Sequence, residues 1–146
     1  SDLIGQTEGV LFVEWSLLNF GGQEIAVNDD FVNYISFGFL TISGNFLIRV
    51  VISGSSSITI LSSAPISNLG DYKILLKYKS GENKLFINGV LIATSTNSIT
   101  FSNSLNSLFL HKATGKYYGN GSKGLKNIQL YKTALTDAEC VSLTNL

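Results

Sequence analysis

The sequence is short of several things, and each shortage closes a route. It holds one cysteine in 146 residues, so no internal disulfide staples it and its fold does not depend on oxidation. That residue, Cys140, stands on an apolar helical stretch and reads as a buried thiol rather than a nucleophile. His111 is the only histidine. It leaves no histidine cluster for zinc and no evident Ser–His or Cys–His pair. Pro65 is the only proline and falls between strand signals, where a missing N–H does no harm. Charged residues make up only 14%, and ten Lys and Arg balance ten Asp and Glu. Duplex binders carry a basic excess to neutralise phosphates, so nucleic acid is not an expected partner. No apolar run approaches the about 18 residues of a membrane helix, so no membrane insertion is expected. Neither a signal peptide nor another targeting signal is visible. The chain starts at Ser1 and contains no methionine, from which we expect a piece excised from a longer protein.

What remains is apolar and β-favouring. Hydrophobic residues make up 45%, and the polar fraction is mostly Ser, Thr, Asn and Gly, the residues of turns and strand surfaces. At this length a chain buries roughly 70% of its unfolded surface, enough for one core without staples. A single domain over residues 1–146 is expected.

Period-two patterns recur along the chain. Leu11, Val13, Trp15 and Leu17 share one face of a strand over Val10–Leu18, which makes Trp15 a core residue rather than a sugar platform. Asn19-Phe20-Gly21-Gly22 then reads as a turn. Phe31–Ile42, Asn45–Ile52 and Ser57–Ser62 give three more strands. From Tyr72 the alternation is strict: Tyr72, Ile74, Leu76 and Tyr78 on one face, Lys73, Lys77 and Lys79 on the other, with Leu75 the exception. Lys84–Ile87 returns, Asn88-Gly89 supplies a type I′ hairpin turn, and Val90–Thr94 completes a meander. Ile99–Phe101, Ser107–His111 and Leu125–Tyr131 read as further strands, and Lys112–Lys123 as a long loop. Thr136 and Glu139 have the spacing of a capping box, which predicts one short helix. Turn signals about every 8–12 residues between short strands point to an all-β, antiparallel β-sandwich with one short C-terminal helix.

Two motifs carry a resemblance. The segment from Tyr72 to Ala93, with its Leu85-Phe86-Ile87-Asn88-Gly89-Val90-Leu91-Ile92-Ala93 core, resembles the central hairpin of laminin-G-like domains. Gly124 to Glu139, ending Ala134-Leu135-Thr136-Asp137-Ala138-Glu139, resembles their closing strand and helix. The motifs cover the second half of the chain; the first half matches only by strand pattern. This resemblance implies a concanavalin A-like jelly roll. The opening Leu3-Ile4-Gly5-Gln6-Thr7-Glu8-Gly9-Val10-Leu11-Phe12 also looks like such modules in bacteriophage and prophage tail-fibre or head-fibre proteins. It implies a virion or otherwise extracellular location, a homotrimer, and cell-surface glycans of the host as partners.

Catalysis finds little support. Concanavalin A-like glycosidases place two or more acids at period two on one strand. Here Glu14 is followed by no acid until Glu24, Asp29 and Asp30 are adjacent, and Asp137 and Glu139 belong to the helix cap. The expectation is a binding domain and not an enzyme.

Binding residues are sought where aromatic surface meets hydrogen-bonding groups, the combination that suits a sugar. His111, Lys112, Lys116, Tyr117, Tyr118 and Asn120 form such a set on the long loop, although a loop of this kind also folds back on the core edge. Asn28, Asp29, Asp30, Asn33 and Tyr34 form a second. Asn28, Asp29 and Asp30 offer oxygens suited to Ca²⁺, a cofactor some laminin-G-like domains bind, and equally make an ordinary turn. Arg49 is the only arginine and interrupts an apolar strand. It suits either an internal carboxylate or an acidic ligand group. Two functions follow: a carbohydrate-binding, lectin-like domain of a phage or prophage virion, or a structural or interaction module without sugar specificity.

Overall fold

The computed structural model describes residues 4–20, 23–27, 32–55, 57–102, 105–109 and 124–146. Within them run β1 (Glu8–Leu17), β2 (Gln23–Val27), β3 (Tyr34–Ile42), β4 (Asn45–Ser53), β5 (Ile58–Ser62), β6 (Gly70–Lys79), β7 (Glu82–Ile87), β8 (Val90–Ser95), β9 (Leu108–Phe109), β10 (Leu125–Tyr131) and α1 (Asp137–Thr144). One sheet has the order β10-β1-β6-β7-β8 and the other β5-β4-β3-β2-β9. Every pairing is antiparallel. The all-β sandwich and its single C-terminal helix are therefore as expected. Among the described residues, no helix is long and apolar enough to cross a membrane.

The sheets close on each other through the side chains that period two points inward. Leu11, Val13, Trp15 and Leu17 of β1 meet Ile74, Leu76 and Tyr78 of β6 and, across the interface, Ile35, Phe37 and Phe39 of β3 and Ile48, Val50 and Ile52 of β4. Each such side chain contributes about 1.5–3 kcal/mol through burial. Trp15 is only 4% exposed. Its ring meets Phe39 edge-on at 5.2 Å, and Phe39 also meets Tyr72 at 5.6 Å. The core role expected for Trp15 holds.

Local chemistry sets the turns. Asn88 and Gly89 both have positive φ, 48° and 80°, as the type I′ hairpin requires. Ser43 and Gly44 do the same between β3 and β4, at 50° and 80°. The capping box also forms: the Glu139 amide donates to Thr136 Oγ1 at 3.3 Å, and the Thr136 amide donates to Glu139 Oε2 at 2.8 Å.

The structure departs from expectation in several places. Gln23–Val27 is a strand that the pattern did not disclose. β3 begins at Tyr34 rather than Phe31. Ile99–Phe101 is not a strand: the Thr100 carbonyl instead accepts from the Ser55 amide at 3.0 Å, and the Ser98 carbonyl from Ser57 Oγ at 2.9 Å. The segment is tied to the loop after β4 rather than to a ladder. Of the expected Ser107–His111 strand, Leu108–Phe109 forms β9, and residues 110–111 lie outside the described residues.

Candidate functional site

A sandwich has two outer faces, and here they differ. The outer face of the first sheet is occupied by α1. Val10 and Phe12 of β1, Leu75 of β6 and Phe86 of β7 point away from the main core and bury Cys140 of the helix among them, flanked by Leu135, Val141 and Leu143. This explains Leu75, the apolar break in an otherwise lysine-bearing face, and the burial of the Cys140 thiol. Burial pushes that thiol up from its ordinary pKa, so it is a packing residue.

Charges fasten the helix start to the same face. Lys77 Nζ lies 3.0 Å from Asp137 and 3.1 Å from Glu82, and Lys84 Nζ lies 2.6 Å and 3.0 Å from the same two acids. Hydrogen bonds from Lys84 and then Lys77 hold both carboxyls below their usual range. Burial by itself pulls the Lys77 ammonium down, but its bonds to Asp137 and Glu82 reverse this and leave it raised. At the other helix end, Thr144 Oγ1 accepts from the Gly89 amide at 3.1 Å and Lys73 Nζ donates to the Asn145 carbonyl at 2.6 Å. The Asn88-Gly89 hairpin is thus part of the helix dock.

The outer face of the second sheet carries no helix among the described residues. Its rows follow from register. Ser62 of β5, Arg49 of β4, Gly38 of β3 and Glu24 of β2 lie side by side. The next row is Ile60, Val51, Ser36 and Ala26, and the next Ile58, Ser53 and Tyr34. Ser36, Gly38, Val51 and Ser53 are sheltered. The β5 margin is open, with Ile58 58% and Ile60 56% exposed. Gly38 leaves no side chain opposite Arg49.

Arg49 is half-buried at the middle of this face. Its Nε is buried and has no hydrogen-bond partner. A buried donor left unmatched costs about 1–3 kcal/mol. Among the acids whose side chains are described, none pairs with the guanidinium. The other described acids with assigned contacts are committed elsewhere: Asp71 to Lys126 at 2.8 Å and to Ser16, Glu139 to the cap, and Glu8 to the Ala134 amide at 3.2 Å.

Of the residues chosen from the sequence, Tyr34 and Arg49 share this face, four residues of strand apart in register, or about 13 Å. Asn33 does not join them. It is fully buried, its Oδ1 accepting from the Ser102 amide at 2.7 Å and its Nδ2 donating to Ser102 Oγ at 3.0 Å. That side chain anchors the segment after β8. Asn28, Asp29 and Asp30, and the loop set His111, Lys112, Lys116, Tyr117, Tyr118 and Asn120, lie outside the described residues. Among the described residues, no group of three His, Cys, Asp or Glu side chains is placed to hold a metal ion.

The sequence did not single out Gly38, Ser62, Ile58 or Ile60. Period two assigns each to a face of its strand, but only the docking of α1 decides which face the helix covers. A separate cleft of about 350 Å³ lies between Gln6, Ser80 and Phe101. Its polar wall is already used: the Gln6 amide bonds Ile4, and both the carbonyl and the amide of Leu105, at 2.7–3.0 Å.

No protein-family model and no curated protein matches the chain. Solved structures do. The CBM40 of a Ruminococcus gnavus IT-sialidase, bound to alpha2,3 sialyllactose, aligns with TM-score 0.70 and 18% identity over 97% of this chain and 84% of that one. Domain 4 of AbnA, a GH43 extracellular arabinanase from Geobacillus stearothermophilus, in complex with arabinotriose, aligns with TM-score 0.66 and 16% identity over 99% and 69%. The native heptameric SAP-like pentraxin from Limulus polyphemus gives 0.66 and 15% over 98% and 72%. At such identities the likeness is one of fold. The chain has the two-sheet, jelly-roll-like architecture that these structures share.

Proposed function

We propose that this domain is a non-catalytic carbohydrate-binding module, and that it binds glycan on the outer face of the second sheet. The observation that carries the proposal is the asymmetry between the two outer faces. One is filled by the chain's own helix. The other presents Tyr34, Arg49 and Ser62 beside the open Ile58 and Ile60, so that apolar surface lies next to hydrogen-bonding groups. Sugars need both: a platform for C–H faces and donors or acceptors for hydroxyls. Solved sandwiches of the same architecture have been captured with sialyllactose and with arabinotriose. Binding rather than hydrolysis is favoured because the described acids with assigned contacts pair with lysines or cap backbone groups. The setting we infer is a phage or prophage virion, or another extracellular surface, and the ligand a host cell-surface glycan. This setting rests on the resemblance of residues 3–12.

A second reading has its own support. β5 is an edge strand with two widely exposed isoleucines, which suits packing against another copy, as in a homotrimer, without sugar specificity. A glycan array probed with the folded domain, followed by calorimetric titration of the hits, separates the two. Saturable binding of an oligosaccharide is expected. A flat array together with a concentration-dependent oligomer in sedimentation would favour the packing module.

A further inference from the structure

We propose that Arg49 receives a carboxylate, so that the ligand class is an acidic glycan bearing a uronic or sialic type of sugar. This rests on the carbohydrate-binding reading and narrows it. A guanidinium is charged at every physiological pH, and its Nε together with one terminal nitrogen forms a planar fork that matches a carboxylate. On Arg49 that edge is unspent: Nε is buried and has no hydrogen-bond partner, while the residue as a whole is half-buried. The residue sits mid-sheet on β4, so its backbone is fixed by ladders on both sides. Opposite it on β3 stands Gly38, with no side chain to compete for the guanidinium or block a ligand. On β5 the neighbour is Ser62, a hydroxyl suited to a sugar oxygen. Beyond Ser62's row the exposed Ile60 offers apolar surface for a ring. A free donor in a sheltered place favours a charged acceptor over water, because the pair forms where solvent screens it least. In the free protein Nε is unmatched, and an acidic sugar completes it.

The test uses the whole domain and matched ligands: sialyllactose, an oligogalacturonide, their carboxyl-reduced counterparts, and neutral arabinotriose. Calorimetry on the native domain should show the acid bound at least about tenfold more tightly than its reduced form, as a charged hydrogen-bond pair supplies. Arg49→Lys keeps the charge and loses the fork, and should lose most of that preference; Arg49→Gln should lose all of it. Near-UV circular dichroism confirms that each variant is folded. Equal affinity for acid and reduced ligand, or an acid preference intact in Arg49→Gln, overturns the proposal. If neutral sugars bind and Arg49→Gln leaves them unchanged, only the acidic class falls and the carbohydrate reading stands. If the folded native domain binds no member of the array, the carbohydrate reading falls and this proposal with it.

Discussion

The two outer faces of this sandwich are built from the same strand chemistry and put to different uses. On the first sheet, Val10, Phe12, Leu75 and Phe86 are apolar because a helix lies on them, and Lys77 and Lys84 are placed to hold Asp137 at its start. On the second, Arg49 and Gly38 interrupt apolar strands with no helix above them among the described residues, and Arg49 Nε is left without a hydrogen-bond partner. The first face is satisfied by the protein itself; the second is left with an unmatched donor and open isoleucines. Residues that fasten the helix therefore concentrate on one side.

Substitutions can break this contrast. The largest effect is expected beneath the helix: Phe86→Ala should cost about 3–5 kcal/mol in urea unfolding, while Ile60→Ala on the opposite face should stay within about 0.5 kcal/mol. Equal costs would mean that both faces are covered. Next come the two positive-φ hairpins. Gly44 has nothing within 4 Å of the position a Cβ would take, so Gly44→Ala should cost about 1–2 kcal/mol from backbone conformation alone. At Gly89 the same methyl would run into Asn145, so Gly89→Ala should cost more and loosen the helix end.

Smaller again is the charge network. Asp137→Asn should lower stability by about 1 kcal/mol near neutral pH, a value reduced by the exposure of the acid. The pH dependence has a definite sign. Asp137 and Glu82 are held below their ordinary values of 3.8 and 4.5, so their contribution is whole above that range and fades as pH falls through the lowered values. The native protein should therefore lose more stability on acidification below about pH 5 than Asp137→Asn does. Identical acid profiles would show that the network does not hold the helix. The smallest effect belongs to Arg49→Gln, which should leave the melting transition nearly unchanged, within about 0.5 kcal/mol, because no internal partner is lost. A large loss there would make Arg49 a structural residue.

What could be foreseen from the sequence was what is local. The Asn88-Gly89 turn, the Thr136–Glu139 box and the inward row from Leu11 to Leu17 each depend on residues a few positions apart. Trp15 and Cys140 went to the core because period and neighbours placed them there. β2 escaped because Gln23-Glu24-Ile25-Ala26-Val27 is short and mixed, and its place is fixed only by pairing with β3. Ile99–Phe101 misled in the opposite direction: it has strand-like composition but is held by Ser55 and Ser57 from a loop. Asn33 looked like a ligand residue beside Tyr34, yet alternation sends the two to opposite sides, and Asn33 turns inward to Ser102. The open face was the least visible feature. It depends on where α1 docks, a long-range event whose traces in the sequence were outward apolar residues such as Leu75 among lysines.

The most direct test of the central claim is an NMR titration of the isotope-labelled domain with an oligosaccharide that it binds. Amide shifts should move over residues 34–40, 47–53 and 58–62, three strands of the second sheet, and stay still over residues 137–144. Shifts concentrated on the helix and on β6 and β7, with the open face silent, would contradict the account.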